Sequence, residues 1–239
     1  MITICDLHSH ILPGIDDGSA NVEMSLNMLR AAAAQGVQQI AATPHYYPVE
    51  SVEDFLTRRN TAAETLRSAM ASSGERLPRV VLGAEVAYRP GIGYEECLKD
   101  LCIGGTEYLL LELPFAPWGS EVARDLCNMV CARGITPILA HLERYLKLQK
   151  RKALETVLQQ GVLVQMNGEA LLERRSRSKA LKMLKDGTVH LLGSDCHNLT
   201  SRKPDLGDAI LQLQQRELIE PLHRIEYISM EILEQAESL

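Results

Sequence analysis

Seven short aliphatic or β-branched runs stand at residues 2–5, 39–43, 79–83, 108–111, 136–140, 162–166 and 190–193, each followed by a polar turn. Helical stretches at 22–35, 52–72, 121–133, 148–160 and 179–185 lie between them. That alternation leaves few folds open. Parallel strands need long crossovers, commonly helical, so the predicted class is α/β with a parallel sheet. Gly36, Gly134 and Gly161 stand where left-handed residues would end three of the helices. Ser51 with Asp54 resembles a capping box, with Asp in place of the usual Glu or Gln. So many strand units in one compact chain predict a closed barrel rather than an open sheet, because one short core then serves every strand. From Pro204 the tail reads as one or two amphipathic helices packed outside. With no repeat, linker or low-complexity stretch, residues 1–239 are predicted to form a single domain.

The residues that close each run carry the chemistry. Asp6, His8 and His10 follow the first run, His45 the second, Glu85 the third and Glu112 the fourth. His141 follows the fifth, Asn167 the sixth, and Asp195 and His197 the seventh. In a parallel barrel the C-terminal strand ends share one face, where catalytic groups gather. Neutral imidazoles beside hard carboxylates suit divalent Zn, Mn, Fe or Co. With Asp17, the candidate ligands are His8, His10, Asp17, His45, Glu85, Glu112, His141, Asp195 and His197. They exceed what one tetrahedral ion needs, so two or three ions sharing carboxylates are predicted. In His8-Ser9-His10 the extended-chain period of two puts both imidazoles on one side. Asp195-Cys196-His197 repeats that spacing and turns Cys196 away. His190 and His223 have no such partners and read as ordinary structural residues.

Composition narrows the function. Twenty-five Lys and Arg against 31 Asp and Glu give a net charge of −6, and aromatics are 4%, which argues against a nucleic-acid surface. No apolar run reaches the roughly 18 residues of a membrane span, and no leader pattern stands at the start. The six cysteines show no disulfide spacing, so reduced thiols and a cytoplasmic location are expected. Cys-x5-Arg, the spacing of thiol phosphatases, occurs at Cys127–Arg133 and Cys196–Arg202. Neither has loop glycines to cradle phosphate, and both are read as coincidence. P-loop, dinucleotide-binding and nucleophile-elbow patterns are missing.

HxH near the start, a lone His after the second run, another after the fifth and a closing DxH resemble the motifs of the polymerase-and-histidinol-phosphatase (PHP) superfamily. DLHSHILPGIDDG, ATPHYYP, GAEV, AHLERY and GSDCHN together resemble its bacterial tyrosine-phosphatase branch, the CpsB/YwqE type, over residues 3–210. The resemblance implies a distorted, TIM-like (β/α)7 barrel with a trinuclear metal site at the C-terminal ends of its strands. It implies hydrolysis of phosphotyrosine in a bacterial tyrosine kinase of capsule or exopolysaccharide synthesis. On that pattern His8 and His10 bind one ion with Glu85 and Asp195, Glu112 and His141 a second, and Asp17, His45 and His197 a third. Arg144 and Arg202 match the phosphate-holding arginines, and Asp17 is a candidate proton donor to the leaving group. Tyr-Tyr-Pro after His45 departs from the pattern, and the ELPFAPW segment carries Trp118, the only tryptophan. Two alternatives share the same ligands: a small-molecule phosphatase of the histidinol-phosphatase type, and a catalytically silent metal-binding regulatory module.

Overall fold

The computed structural model describes residues 2–239. In chain order the elements are β1 (Ile4–Ser9), α1 (Val22–Ala34), β2 (Val37–Ala42), β3 (His45–Tyr46), α2 (Val52–Ser73), β4 (Arg79–Leu82), β5 (Glu85–Ala87), β6 (Tyr108–Glu112), α3 (Ser120–Asn128), β7 (Thr136–Leu139), α4 (Arg151–Leu158), β8 (Leu163–Asn167), α5 (Glu169–Leu172), α6 (Arg177–Lys185), β9 (Leu191–Gly193), α7 (Leu206–Gln215) and α8 (Ile219–Gln235). Every strand pairing is parallel, in the orders β1-β2-β4 and β3-β5-β6-β7-β8-β9. The second and third predicted runs end at Thr43-Pro44 and Gly83-Ala84, and beyond each break the chain resumes as a further short strand, β3 and β5, in line with β2 and β4. Across the breaks, Gly83 N–H donates to Ala42 O at 2.9 Å and Glu85 N–H to Pro44 O at 3.0 Å. The sheet curls until the chain beyond β9 meets β1. There Asp195 N–H donates to His8 O at 2.7 Å and His10 N–H to Cys196 O at 2.9 Å.

Alternation along the strands sorts the core into an inner and an outer layer. Cys5, Leu7, Ala41, Val81, Leu110, Ile138 and Leu191 pack in one buried cluster inside the curled sheet. Their neighbours Ile40, Ala42 and Val80 pack outward on Met28, Leu29 and Leu66 of α1 and α2. Leu109, Leu139, Val164 and Leu192 pack likewise on Leu126, Val157 and Leu184 of α3, α4 and α6. Two to four residues further up, the inner stripe turns polar: Ala41 leads to Thr43 and His45, Val81 to Glu85, Leu110 to Glu112, and Leu191 to Asp195.

Several expectations are corrected. β1 runs to Ser9 rather than ending at residue 5, because Asp6 and His8 are strand residues despite their polarity. The stretch 121–133 is α3 followed by a π-helical turn at Met129–Arg133. The stretch 148–160 shortens to Arg151–Leu158. Ser51 Oγ accepts from Asp54 N–H at 3.1 Å, but Asp54 accepts from Ser51 Oγ rather than reaching back to the backbone, so the box is half formed. The three predicted glycine stops hold, with φ of 84°, 64° and 76° at Gly36, Gly134 and Gly161. No helix among the described residues is long and apolar enough to cross a membrane.

The tail is not wholly external. α7 packs outside, but Ile232 and Leu233 of α8, with Ala236, join the inner cluster beside Leu7 and Leu191. Leu239 N–H then donates to Val80 O at 2.9 Å and Glu237 N–H to Gly104 O at 3.0 Å. α8 therefore plugs the end of the sheet where the strands begin. Leu233 is fully buried, and Leu233→Ala is expected to cost about 2–5 kcal/mol. Urea unfolding measures this, and a loss below about 1 kcal/mol would show that α8 is dispensable to the core.

Candidate metal centre

Two backbone irregularities bring histidines into the inner stripe. Asp6 pairs with Ile40 but Ser9 with Ala42, so β1 carries one extra residue between them. Such a bulge re-aims side chains. It lets His8 and His10 enter the space that Cys5 and Leu7 share lower down, although their numbers have the opposite parity. His141 has φ 35°, and Asp195 has φ 52°. Left-handed backbone on non-glycine residues is costly and clusters at functional sites. Among the other described non-glycine residues only Glu217 shares this conformation.

Glu85 lies at the middle, 1% exposed. Its Oε2 is 3.1 Å from His8 Nε2, 3.3 Å from His10 Nε2 and 3.1 Å from His45 Nδ1. Its Oε1 is 2.9 Å from His141 Nε2, which also lies 3.4 Å from Glu112 Oε1. Asp195 Oδ1 is 3.5 Å from both His8 Nε2 and His10 Nε2. Asp17, exposed, puts Oδ1 3.5 Å from His45 Nε2 and 3.4 Å from His197 Nε2. All nine candidate ligands thus converge, and three sets each place their donor atoms within 4.8 Å of one another: His10, Asp17, His45 and His197; His8, His10 and Glu85; and His45, Glu85 and Glu112. His10 joins the set expected for Asp17, His45 and His197, and Glu112 lies with His45 as well as with His141.

The donor set fits divalent cations. His8 Nε2 and His10 Nε2 approach to 3.2 Å, and His197 Nε2 and His45 Nδ1 are buried without an aligned hydrogen-bond partner. Nitrogen lone pairs packed this closely beside carboxylates call for a shared positive charge. Burial opposes charge on Glu85, but His8, His10 and His141 hold its carboxyl well below the usual range. Burial likewise opposes charge on His141, yet Glu112 and Glu85 raise it to about 9. His197 goes the other way, to about 4, through burial and the charges of His10 and Arg202.

Arg144 Nη2 donates to Asp195 Oδ2 at 2.6 Å and Arg202 Nη2 to Asp195 Oδ1 at 2.7 Å. Both guanidiniums therefore rest on one buried carboxylate while each stays about a third exposed. The supporting residues were partly unforeseen. Asp16 takes a hydrogen bond from His10 Nδ1 at 2.8 Å and from His45 N–H at 3.0 Å, and these partners bring its carboxyl down to about 2 against the pull of burial. Gln165 Oε1 accepts from His141 N–H at 2.7 Å and lies 3.3 Å from His8 Nδ1. Its amide donates to Asn167, which donates to Asp195 Oδ2 at 2.9 Å. The one sequence signal for that chain is the pair of amides spaced by two in an otherwise apolar strand. Asp6 ties β9 to β1, accepting from Ser194 N–H at 2.8 Å. His190 Nδ1 accepts from Val164 N–H and His223 is exposed, so both stand apart from the centre.

The fold and this donor set define a metal-binding α/β protein. The chain belongs to the capsular polysaccharide synthesis family CpsB/CapC, whose family model matches residues 4–231. It is 28% identical over 216 residues to the tyrosine-protein phosphatase CpsB of Streptococcus agalactiae serotype III, covering 85% of this chain and 87% of that one. It is 28% identical over 217 residues to the tyrosine-protein phosphatase YwqE of Bacillus subtilis, covering 88% and 84%. Its fold matches a solved structure from the set of YwqE from Bacillus subtilis and CpsB from Streptococcus pneumoniae, described as metal-dependent tyrosine phosphatases. That match has a TM-score of 0.84 at 23% identity over 99% of this chain and 96% of that one. A variant of organophosphorus hydrolase from Deinococcus radiodurans shares the fold more distantly, with a TM-score of 0.52 at 12% identity over 98% and 93%.

Outer groups that fix a ligand's orientation matter nearly as much as the ligand. Asp16→Ala is expected to weaken manganese binding roughly 10–100-fold by freeing the His10 ring. Calorimetric titration of metal-stripped protein checks this, and an unchanged affinity would reduce Asp16 to a loop residue.

Proposed function

We propose that this chain is a metal-dependent protein-tyrosine phosphatase whose substrate is a tyrosine autokinase of capsule or exopolysaccharide synthesis, acting in the cytoplasm. The observation that carries the reading is the meeting of nine donors, Glu85 and Asp195 central among them, with two arginines in a chain of this family. Its curated relatives are named tyrosine-protein phosphatases. With β2/β3 and β4/β5 each taken as one interrupted strand, residues 1–239 make a single distorted (β/α)7 barrel. Its metal site lies at the C-terminal strand ends.

Two or three divalent ions, drawn from Mn, Fe, Zn and Co, would be held there. On the family pattern His8 and His10 would hold one, with Glu85 and Asp195 completing or bridging it, Glu112 and His141 a second, and Asp17, His45 and His197 a third. When bound, such ions neutralise phosphate oxygens and lower the pKa of water from about 15.7 toward 7. Arg144 and Arg202 each use one nitrogen on Asp195, which leaves other N–H groups for the phosphate oxygens. A guanidinium fork meets two oxygens at once and stabilises charge that builds in flight. Asp17, exposed beside His45 and His197, would be the proton donor to the departing tyrosinate only while its carboxyl is not engaged with an ion. A phenol with pKa near 10 needs only modest help to leave.

The thiols fit no such role. Burial drives the Cys196 thiol far above its ordinary range, and Cys127 is held up by its hydrogen bond to Cys131. The test is hydrolysis of a phosphotyrosine peptide against histidinol phosphate, before and after chelation and manganese return. Chelation is expected to abolish activity on the peptide and manganese to restore it. His8→Ala, Glu85→Ala and Asp195→Ala should each lose at least about 100-fold in turnover. Arg144→Lys stays impaired, since an ammonium cannot reproduce the fork. Cys127→Ser and Cys196→Ser keep at least about a third of activity, a barrier change under about 1 kcal/mol. Chelator-resistant activity that dies with Cys196→Ser would overturn the reading, as would a metal-loaded protein that turns over neither substrate.

A further inference from the structure

The chain has two phenylalanines. Phe55 is buried, as expected of so apolar a side chain, but Phe115 is 52% exposed. Its exposure is not that of a loose loop. Phe115 stacks on His141 with centroids 5.9 Å apart at 22°, and lies 5.1 Å from the ring of Tyr145. Tyr145 is fully buried and packs in turn on Trp118 at 5.3 Å. The loop itself is tied. Trp118 Nε1 donates to Pro114 O at 3.1 Å and Trp118 N–H to Gln149 Oε1 at 2.9 Å, while Gln149 Nε2 returns to Ala116 O at 2.8 Å. Three hydrogen bonds and a row of rings thus hold an apolar ring in water, over one imidazole of the centre.

A second ring stands in the same relation to another imidazole. Tyr47, 49% exposed, stacks on His45 with centroids 5.4 Å apart at 25°. His45 and His141 meet at the Glu85 carboxylate, one on each of its oxygens. Flat rings recognise flat rings through offset or edge contacts that a flexible alkyl chain cannot reproduce.

We propose that Phe115 and Tyr47 form an aromatic subsite that receives the phenyl ring of the substrate and so selects aryl over alkyl phosphate esters at this centre. The inference rests on the phosphatase reading above and adds to it the residues that choose the ester group. It also gives the Tyr46-Tyr47-Pro48 and ELPFAPW segments a joint purpose: the first supplies one wall, and Trp118 braces the loop that supplies the other.

The experiment measures binding rather than turnover. Phenylphosphonate and ethylphosphonate, which cannot be hydrolysed, are titrated by calorimetry into manganese-loaded wild type, Phe115→Ala, Phe115→Leu and Tyr47→Ala, with metal content verified for each. Wild type is expected to prefer phenylphosphonate. Phe115→Ala should weaken it about tenfold and leave ethylphosphonate within about twofold, with Phe115→Leu intermediate and Tyr47→Ala weakened in the same sense. Trp118 emission gives a second readout: phenylphosphonate shifts it in wild type and not in Phe115→Ala. Equal weakening of both ligands, or no change in either, in both alanine variants overturns the subsite while leaving the phosphatase reading intact. A metal-loaded wild type that binds neither phosphonate overturns both.

Discussion

A single carboxylate, that of Glu85, organises this molecule. Four imidazoles from three separate parts of the chain reach its two oxygens within 2.9–3.3 Å, and the carboxylate itself is buried. Burying so many titratable groups together is costly unless each meets a partner of opposite charge. The surrounding scaffold can be understood as the means of holding that arrangement against its own repulsion. Asp16, Gln165 and Asn167 occupy the outer nitrogens and oxygens, so that the inner ones stay directed at one another.

The strands achieve this by changing chemistry with height. An inner position low in the sheet is Ala41, Val81, Leu110 or Leu191, and higher on the same stripe it is His45, Glu85, Glu112 or Asp195. The apolar floor fixes the register from below, since a one-residue slip would turn every ligand outward. Where strict alternation would leave a needed histidine on the wrong side, the backbone yields: an added residue in β1, and a left-handed turn at His141.

Much of this was legible in the sequence because ligand residues recur at the ends of hydrophobic runs, and the HxH and DxH pairs still converge although a bulge and a left-handed residue replace the simple extended chain. What was hidden has physical causes. Polar Asp6 and His8 masked the upper half of β1, whose aliphatic part alone resembles a strand. The short strands β3 and β5 were hidden because they begin on polar ligands, His45 and Glu85, just past the breaks at Thr43-Pro44 and Gly83-Ala84. Asp16 was indistinguishable from Asp17 by type, and only the geometry shows that one supports His10 while the other faces His45 and His197. An amphipathic pattern reports that α8 has an apolar face but not that it covers the open end of a sheet. Phe115 and Tyr47 looked like departures from a motif, and their stacking on two histidines could not be read from the chain.

The seam between β1 and the chain beyond β9, together with the plug of α8, also bears on how the protein comes into being. A chain leaves the ribosome in order, and His8 and His10 emerge long before the rest of the centre. Their hydrogen-bonded neighbours at Asp195 and Cys196 follow nearly two hundred residues later, and Ile232 and Leu233, which pack on Leu7, later still. Contacts so distant in sequence are slow to form, and unpaired strand edges invite wrong partners while they wait. β1 is thus among the last strands to be secured, because the centre draws ligands from both ends of the sheet and closes only after β9 and the chain beyond it are in place.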